Sequence, residues 1–223
     1  MKDKLIDFIS DLMSVILGIV ITFAIQGMID RGHDRKEVAS ALDLVRTELA
    51  ANIEDVDSLA AYLRQEKKAA AYFSEHRKNL GACPDDSLDY HMGILFADAS
   101  ISVCSDALEL LKNSSQFQKI GDNDLSMKII RAYDSCTSIA AGMNGHLSER
   151  GERFERVFAS QAPGQFSFGD RASTREFMRS FLRITYGAYS IQWLANQPDP
   201  GFYSDVSDVK AAIEAIDRYL HRK

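Results

Sequence analysis

The stretch Leu12–Ile29 reads LMSVILGIVITFAIQGMI, 18 consecutive residues without a charge. Thirteen of them are apolar, two are glycine, and three are the uncharged polar residues Ser14, Thr22 and Gln26. As an α-helix rising ~1.5 Å per residue, the stretch is roughly 27 Å long, close to the thickness of a hydrocarbon core. It therefore predicts an N-terminal transmembrane helix with little tilt.

Two other interpretations of this stretch stay open. A secretory signal peptide fits poorly, because no A-x-A-like cleavage site follows the apolar run and MKDK is a weak basic region. A helix buried in a soluble core is the second alternative. An uncharged run of this length at the start of a chain favours the membrane over both.

Small and polar residues recur within the predicted span at steps of three or four, so that one side of the helix carries them as a ridge. The ridge consists of Asp11, Ser14, Gly18, Thr22, Gln26 and Asp30, and Asp7 extends it towards the N-terminus. Helices in lipid associate through small residues and through polar side chains, so the ridge predicts a contact in a homo-oligomer. The alternative is a pore lining, with acidic rings at its mouths that favour cations and with Gln26 near a constriction.

Length and charge limit the function of the remainder. Of the 223 residues, 1–33 are predicted to form a membrane anchor and 34–223 one helical soluble domain. The hydrophobic fraction of 46% is ordinary for a folded domain. Residues 31–223 contain 24 Lys and Arg against 28 Asp and Glu, and no basic face stands out. Nucleic acid is therefore not an expected partner.

Cysteine usage and flanking charges bear on the compartment. The three cysteines are Cys83, Cys104 and Cys136, without C-x-x-C or metal-ligand spacing. Their odd number suits a reducing compartment, and one disulfide with a free thiol is the alternative. Basic residues lie on both sides of the span, at Lys2, Lys4, Arg31, Arg35 and Lys36. The larger number after the span places the large domain in the cytoplasm. We expect a single-pass protein of the bacterial inner membrane.

A long amphipathic helix is predicted after the span, because neither Gly nor Pro occurs between His33 and Leu80. Its apolar residues form one stripe with steps of three or four: Val38, Leu42, Val45, Leu49, Ile53, Val56, Leu59 and Leu63. The stripe suits the inner face of an intramolecular bundle, with a coiled-coil seam between subunits as the alternative. The helix either continues directly from the span or bends near Gly32.

The rest of the chain also predicts helices. A turn is expected at 79–86, helices at 87–97 and 101–113, and a connector at 113–121. A long helix capped by Asp122 or Asp124 follows, and helix 174–195 starts with a Ser173–Glu176 capping box. The last helix begins at Ser204 or Asp205 after a turn at 196–201. No segment alternates as a strand does, so the predicted fold is all-α: a transmembrane helix followed by an antiparallel helical bundle.

Two parts of the sequence carry a family resemblance. GIVITFAIQGMID (18–30), followed by RTELAANIEDV (46–56), is one part, and DALELLKNSSQFQKIGDNDLSMKIIRAYD (106–134) is the other. Together they resemble an uncharacterised bacterial family of small single-span membrane proteins with a helical soluble domain. The resemblance covers roughly residues 10–135 and implies no activity. Members have a strongly basic N-terminus, which this chain lacks, and that difference bears on membrane orientation.

Signatures of catalysis and metal binding are missing from the sequence. It has no G-x-S-x-G, H-E-x-x-H, P-loop or G-x-G-x-x-G. Asp122-Asn123-Asp124 fails as a calcium loop, because Met127 and Tyr133 occupy the positions that need Gly and Glu. The densest acidic cluster is interpreted as a helix start; it consists of Asp85, Asp86 and Asp89 with His91. No catalytic, cofactor-binding or metal-binding residue is predicted.

These observations favour a membrane-anchored protein that associates with itself and acts through protein contacts as a sensor, scaffold or regulator, without catalysis. The alternative is a homo-oligomeric, cation-permeable channel lined by the Ser14/Gly18/Thr22/Gln26 face and gated by the soluble domain. A membrane-tethered enzyme of unrecognised type is a third hypothesis. The expected partners are the membrane, further copies of the chain and a protein partner.

Overall fold

The structure, a computed structural model, describes the backbone of residues 2–160 and 174–221 and the side chains of 33–160 and 174–221. The described residues contain only helices, turns and irregular segments, which confirms the all-α prediction. The α-helices are α1 (Lys2–His76), α2 (Asp85–Leu95), α3 (Asp106–Asn113), α4 (Gln116–Lys119), α5 (Asn123–Ala159), α6 (Thr174–Arg183), α7 (Thr185–Ala195) and α8 (Ser207–Leu220). Two 3₁₀ turns occur at Leu80–Ala82 and Pro200–Phe202.

Helix α1 is the element on which the others pack. It runs without interruption through residues 30–34, so the backbone continues as helix where Gly32 offered a bend. The predicted stripe is buried from Val38 to Leu63, with Ile53 partly buried. It packs against α3, α5 and α8 of the same chain, so the intramolecular bundle is confirmed.

The predicted span Leu12–Ile29 lies where the structure describes the helical backbone of α1 but no side chains. The whole predicted ridge, from Asp11 to Asp30, therefore falls outside the described side chains. Among the residues that the structure describes, no helix combines the length and the apolar character that crossing a membrane requires.

The bundle is of mixed direction. Glu48 of α1 contacts Tyr133 of α5, and further along both helices Glu66 contacts Arg150, so α1 and α5 run parallel. Helix α8 runs opposite to α1, because Arg64 pairs with Asp199 shortly before α8, whereas the earlier Arg46 pairs with Asp217 near the end of α8. The predicted antiparallel arrangement thus applies to α8 but not to the two longest helices. Segments α2–α4 connect the end of α1 to the start of α5, at the opposite end of the bundle.

Buried apolar residues form two clusters along α1. The first surrounds its residues 38–63 and includes α3, α8 and the first two thirds of α5. The second surrounds residues 69–73 and includes α2, α6, α7 and the end of α5. Several phenylalanine rings stack edge to face in the second cluster, among them Phe96, Phe154, Phe177 and Phe181.

Residues 101–105 are not helical, so the predicted helix 101–113 begins too early. Two asparagine amides hold this segment in an irregular conformation. Asn52 bonds both the N–H and the C=O of Cys104, at 3.0 and 2.9 Å. Asn144 does the same for Ile101, at 3.1 and 2.8 Å. Because these side chains satisfy the backbone groups, the segment has no need of a helical turn.

The predicted helix 174–195 is two helices. Ile184 adopts an extended ψ of 123° between α6 and α7. Gly187 makes the bend compact, because a Cβ at this position would overlap the carbonyl of Phe181. Because of the break at Ile184, both α6 and α7 bury their apolar sides in the second cluster.

Smaller differences also arise from tertiary contacts. In α3, Leu108 and Leu111 are buried, whereas Leu110 is 58% exposed. The predicted connector contains the short helix α4, and α8 begins at Ser207 rather than at Ser204 or Asp205. Asp122 is the N-cap of α5, accepting from the backbone N–H of Leu125 at 3.0 Å. The predicted Ser173 cap and the loop 161–170 lie outside the described residues.

We expect Gly187→Ala to destabilise the protein although alanine favours helix, because the added methyl group displaces the Phe181 backbone. The expected loss is about 1–3 kcal/mol of unfolding free energy. Gly145→Ala is the matched control. No atom lies within 4 Å of a Cβ there, so it should stabilise α5 by up to about 1 kcal/mol. Urea unfolding followed by circular dichroism measures both, and equal effects of the two substitutions would contradict the close approach.

Candidate functional site

A buried ion pair lies between the two apolar clusters. Glu66 of α1 and Arg150 of α5 are 2.5 Å apart, from Oε1 to Nη1. Their side chains are only 1% and 9% exposed. Burial of two charges is costly unless each is paired and hydrogen-bonded, so this position is chemically distinct from the rest of the core.

The guanidinium of Arg150 is held by further contacts. Its Nη1 donates to the Tyr62 hydroxyl at 2.9 Å, and its Nη2 donates to the carbonyl of Ala97 at 3.1 Å. The Tyr62 hydroxyl in turn lies 2.9 Å from the carbonyl of Ile94. The polar layer therefore connects α1, α5 and the end of α2.

An imidazole and an indole complete the layer. His146 Nε2 lies 3.1 Å from Glu66 Oε2, on the carboxylate oxygen that Arg150 does not contact. The imidazole stacks on Trp193 of α7 with a centroid distance of 5.3 Å and an interplanar angle of 16°. The guanidinium of Arg153 lies 4.3 Å from the centre of the Trp193 ring. Trp193 is thus fixed along α5 by a stacking and a cation–π contact.

A cavity of about 250 Å³ adjoins this layer. Its apolar wall comes from α1, α5, α7 and the segment after α7: Leu63, Met143, Trp193, Leu194, Pro198 and Pro200. Its polar wall consists of Glu66, Lys67, His146, Glu149 and Gln197. Gly142 and Tyr203 line the cavity and are exposed, so they mark its mouth. Apolar walls with a few converging polar groups are typical of small-molecule sites.

The segment that closes the cavity is itself fixed. Asp199 Oδ1 accepts from the Gly201 backbone N–H at 2.7 Å and from Arg64 Nε at 3.3 Å. The backbone hydrogen bond from Gly201, together with Arg64, holds the pKa of Asp199 below its ordinary value, although desolvation acts to raise it. This exposed pair attaches the Pro200–Phe202 turn to α1.

A second polar network surrounds Glu48 of α1. The carboxylate accepts from the Tyr133 hydroxyl at 2.5 Å, from the Cys104 thiol at 3.0 Å and from the Ala107 backbone N–H at 3.0 and 3.2 Å. The last contact caps the N-terminus of α3, where a carboxylate also suits the helix dipole. Glu48 therefore positions α3 on α1.

These contacts shift the acidity of two groups. Burial raises the pKa of the Glu48 carboxyl, but the hydrogen bonds from Tyr133, Cys104 and Ala107 lower it more, so it lies below the ordinary value of 4.5. Burial and the neighbouring Glu48 carboxylate raise the pKa of Tyr133 far above its ordinary range. The pair therefore consists of a neutral phenol and a charged acceptor at neutral pH.

The predicted clusters have structural roles where the structure describes them. Asp85 lies in the first turn of α2 and pairs with Arg175 at 2.6 Å, so it is a helix start as interpreted. His91 stacks on Tyr72 at 4.2 Å. No group of three His, Cys, Asp or Glu side chains suited to a metal ion occurs among the described residues.

The sequence contains an overlooked signal for the buried pair. Leu59, Leu63, Glu66, Ala70 and Phe73 follow the same three- and four-residue steps, so a charge stands on the buried stripe of α1. Arg150 stands in the same way on the stripe of α5, between Leu147 and Phe154. An acidic residue on one buried stripe and a basic residue on the other predict an ion pair between the two helices. They do not show whether the helices run parallel or antiparallel.

Comparison with known proteins gives no match to a family model, a curated protein or a solved structure. The family resemblance over roughly residues 10–135 therefore stays a prediction. The case for function rests on the geometry of this chain.

We expect the Glu66–Arg150 pair to be strongly coupled. Glu66→Leu and Arg150→Met should each lower the unfolding free energy by about 3–5 kcal/mol, because each leaves a buried charge unpaired. The double variant should recover most of this loss, since it leaves neither charge behind. Lys128→Met is the control. It removes an exposed pair with Asp124 and should change stability by less than about 1 kcal/mol. Additive losses in a urea double-mutant cycle would refute the coupling.

The lowered pKa of Glu48 predicts a pH-dependent stability. In the unfolded chain the Glu48 carboxylate is protonated near its ordinary pKa of 4.5, whereas in the folded chain it is still ionised at that pH. The stabilisation that ionised Glu48 gives to the fold is therefore complete above about pH 4.5. It is lost as the pH falls through the lower pKa that Glu48 has in the folded chain. Urea titrations of wild type and Glu48→Gln should differ at neutral pH and converge in acid. A constant difference across that range would contradict the assignment.

Proposed function

We propose that the protein is a membrane-anchored, self-associating helical protein that acts through protein contacts as a sensor, scaffold or regulator. The observation that carries the proposal is the single helix α1, whose backbone runs unbroken from Lys2 to His76. The same helix contains the uncharged stretch Leu12–Ile29 and the stripe on which the bundle packs.

An unbroken helix supports mechanical coupling between its two ends. Residues 30–66 of α1 span roughly 54 Å at ~1.5 Å per residue. Rotation or translation of the N-terminal part therefore moves the Glu66 layer with it, because a helix transmits torque where a flexible linker does not. A sensor or regulator needs a connection of this kind between membrane and domain.

The ridge supports self-association. Ser14, Gly18 and Thr22 are small, so two helices can approach closely along them, and Gln26 can form a hydrogen bond across the contact. The described domain adds exposed aromatic groups at Tyr90 and Tyr189. The ridge supplies the contact between copies, while such exposed groups are available to a protein partner.

Cysteine cross-linking in native membranes tests the association. The background is Cys104→Ser, because Cys104 is exposed whereas Cys83 and Cys136 are buried. We expect Thr22→Cys, on the ridge, to form disulfide dimers on mild oxidation. Phe23→Cys, one position away on another side of the helix, should form few. Equal cross-linking at the two positions would argue against a contact along the ridge.

Membrane extraction tests the anchor in the same preparation. Ile19→Asp with Ile21→Asp should release the chain into the soluble fraction, because each charge at the centre of a span costs about 2.5–3.5 kcal/mol. Ile19→Leu with Ile21→Leu is the control and should stay with the membrane. If the wild-type chain itself is recovered without detergent, the anchor is wrong.

The channel is the second candidate function, and the polar ridge is the observation that favours it. If Asp30 and Gln26 face a lumen, liposomes containing the protein should conduct cations, and Gln26→Leu should abolish the flux. Asp30→Asn should weaken the preference for cations. An inserted oligomer that conducts nothing excludes the channel and leaves the first proposal intact.

A further inference from the structure

We propose that the cavity beside the Glu66 layer binds a small, uncharged ring compound that carries one hydroxyl group, such as an alkylphenol. Size limits the ligand first. A cavity of ~150 Å³ binds benzene, so a volume of about 250 Å³ accommodates roughly ten non-hydrogen atoms. The site lies in the described domain, and its occupancy does not depend on the membrane anchor.

The walls determine the shape and polarity of the ligand. Leu63, Met143 and Leu194 form the deep wall and are at most 5% exposed. Trp193 supplies a ring that stacking contacts hold in place. A flat, largely apolar body gains free energy at each of these surfaces, and a rigid pre-formed pocket adds little ordering cost.

The polar wall favours a hydrogen-bond donor. Glu66 is 1% exposed, and each of its oxygens accepts one described hydrogen bond, from Arg150 or from His146. A carboxylate oxygen has capacity for a second bond, so the carboxylate can accept from a ligand hydroxyl. Water competes poorly at a buried acceptor, and the bond is strong there.

Charge balance favours a neutral ligand. Glu66 is paired with Arg150, and Glu149 is paired with Arg153 at 2.6 Å. Lys67 of the polar wall is partly exposed to solvent, whereas a ligand charge placed against Leu63, Met143 and Leu194 would be uncompensated, which costs free energy. A carboxylate ligand would also face Glu66.

Access passes the exposed residues Gly142 and Tyr203. A Cβ at Gly142 meets no atom within 4 Å, so a larger side chain fits there and occupies the mouth. Gly151 is equally open and lies nine residues further along α5. Nine residues are two and a half helical turns, so Gly151 faces away from the cavity.

Trp193 is the only tryptophan and lines the cavity, so its fluorescence reports binding. The full-length protein in detergent is titrated with 4-propylphenol and with 4-propyltoluene, which has the same shape without the hydroxyl. We expect saturable binding of both, with the phenol about tenfold tighter, as a hydrogen bond to a charged group implies. Calorimetry repeats the comparison without relying on fluorescence.

Two variants locate the site. Gly142→Leu should weaken the phenol at least tenfold, while Gly151→Leu should leave its affinity unchanged. In the Glu66→Leu/Arg150→Met double variant, the preference for the phenol over the toluene should fall to near one. Failure of wild type to bind either probe, equal effects of the two glycine variants, or an unchanged preference in the double variant would each overturn the proposal.

Discussion

The buried contact between Glu66 and Arg150 constrains the arrangement of the whole bundle. Each charge stands on an apolar stripe, one on α1 and the other on α5. A slip of one turn would leave both charges buried and unpaired, at a cost of several kcal/mol. The pair therefore sets the register of the two longest helices. It also positions the end of α2, where the carbonyls of Ala97 and Ile94 accept hydrogen bonds from Arg150 and Tyr62. Helix α7 is positioned in turn, because its Trp193 stacks on His146.

The cavity lies directly beside the Glu66 layer, and Glu66 and His146 belong to both. Trp193 forms part of the cavity wall, and the Pro200–Phe202 turn lies at its edge. The proposed anchor and the proposed ligand site are connected by α1, which contributes to both.

Local patterns predicted the features that depend on neighbouring residues. The stripe of α1 follows from residue spacing and the Asp122 cap from a capping side chain, and the structure confirms both. The start of α3 and the break at Ile184 depend on distant partners, namely the Asn52 and Asn144 amides and the carbonyl of Phe181. The parallel course of α1 and α5, and with it the candidate site, depends on the relative direction of two helices whose paired residues lie 84 positions apart, and the spacing within each helix does not specify that direction.

The position of α1 in the chain has a consequence during synthesis. Its stripe leaves the ribosome first, yet its partners lie up to 171 residues later, as the Arg46–Asp217 contact shows. At ~5–20 residues per second, the remaining ~145 residues take roughly 7–30 s to be made. Until α8 is made, the part of the α1 face that packs against it stays uncovered, which exposes the nascent chain to aggregation.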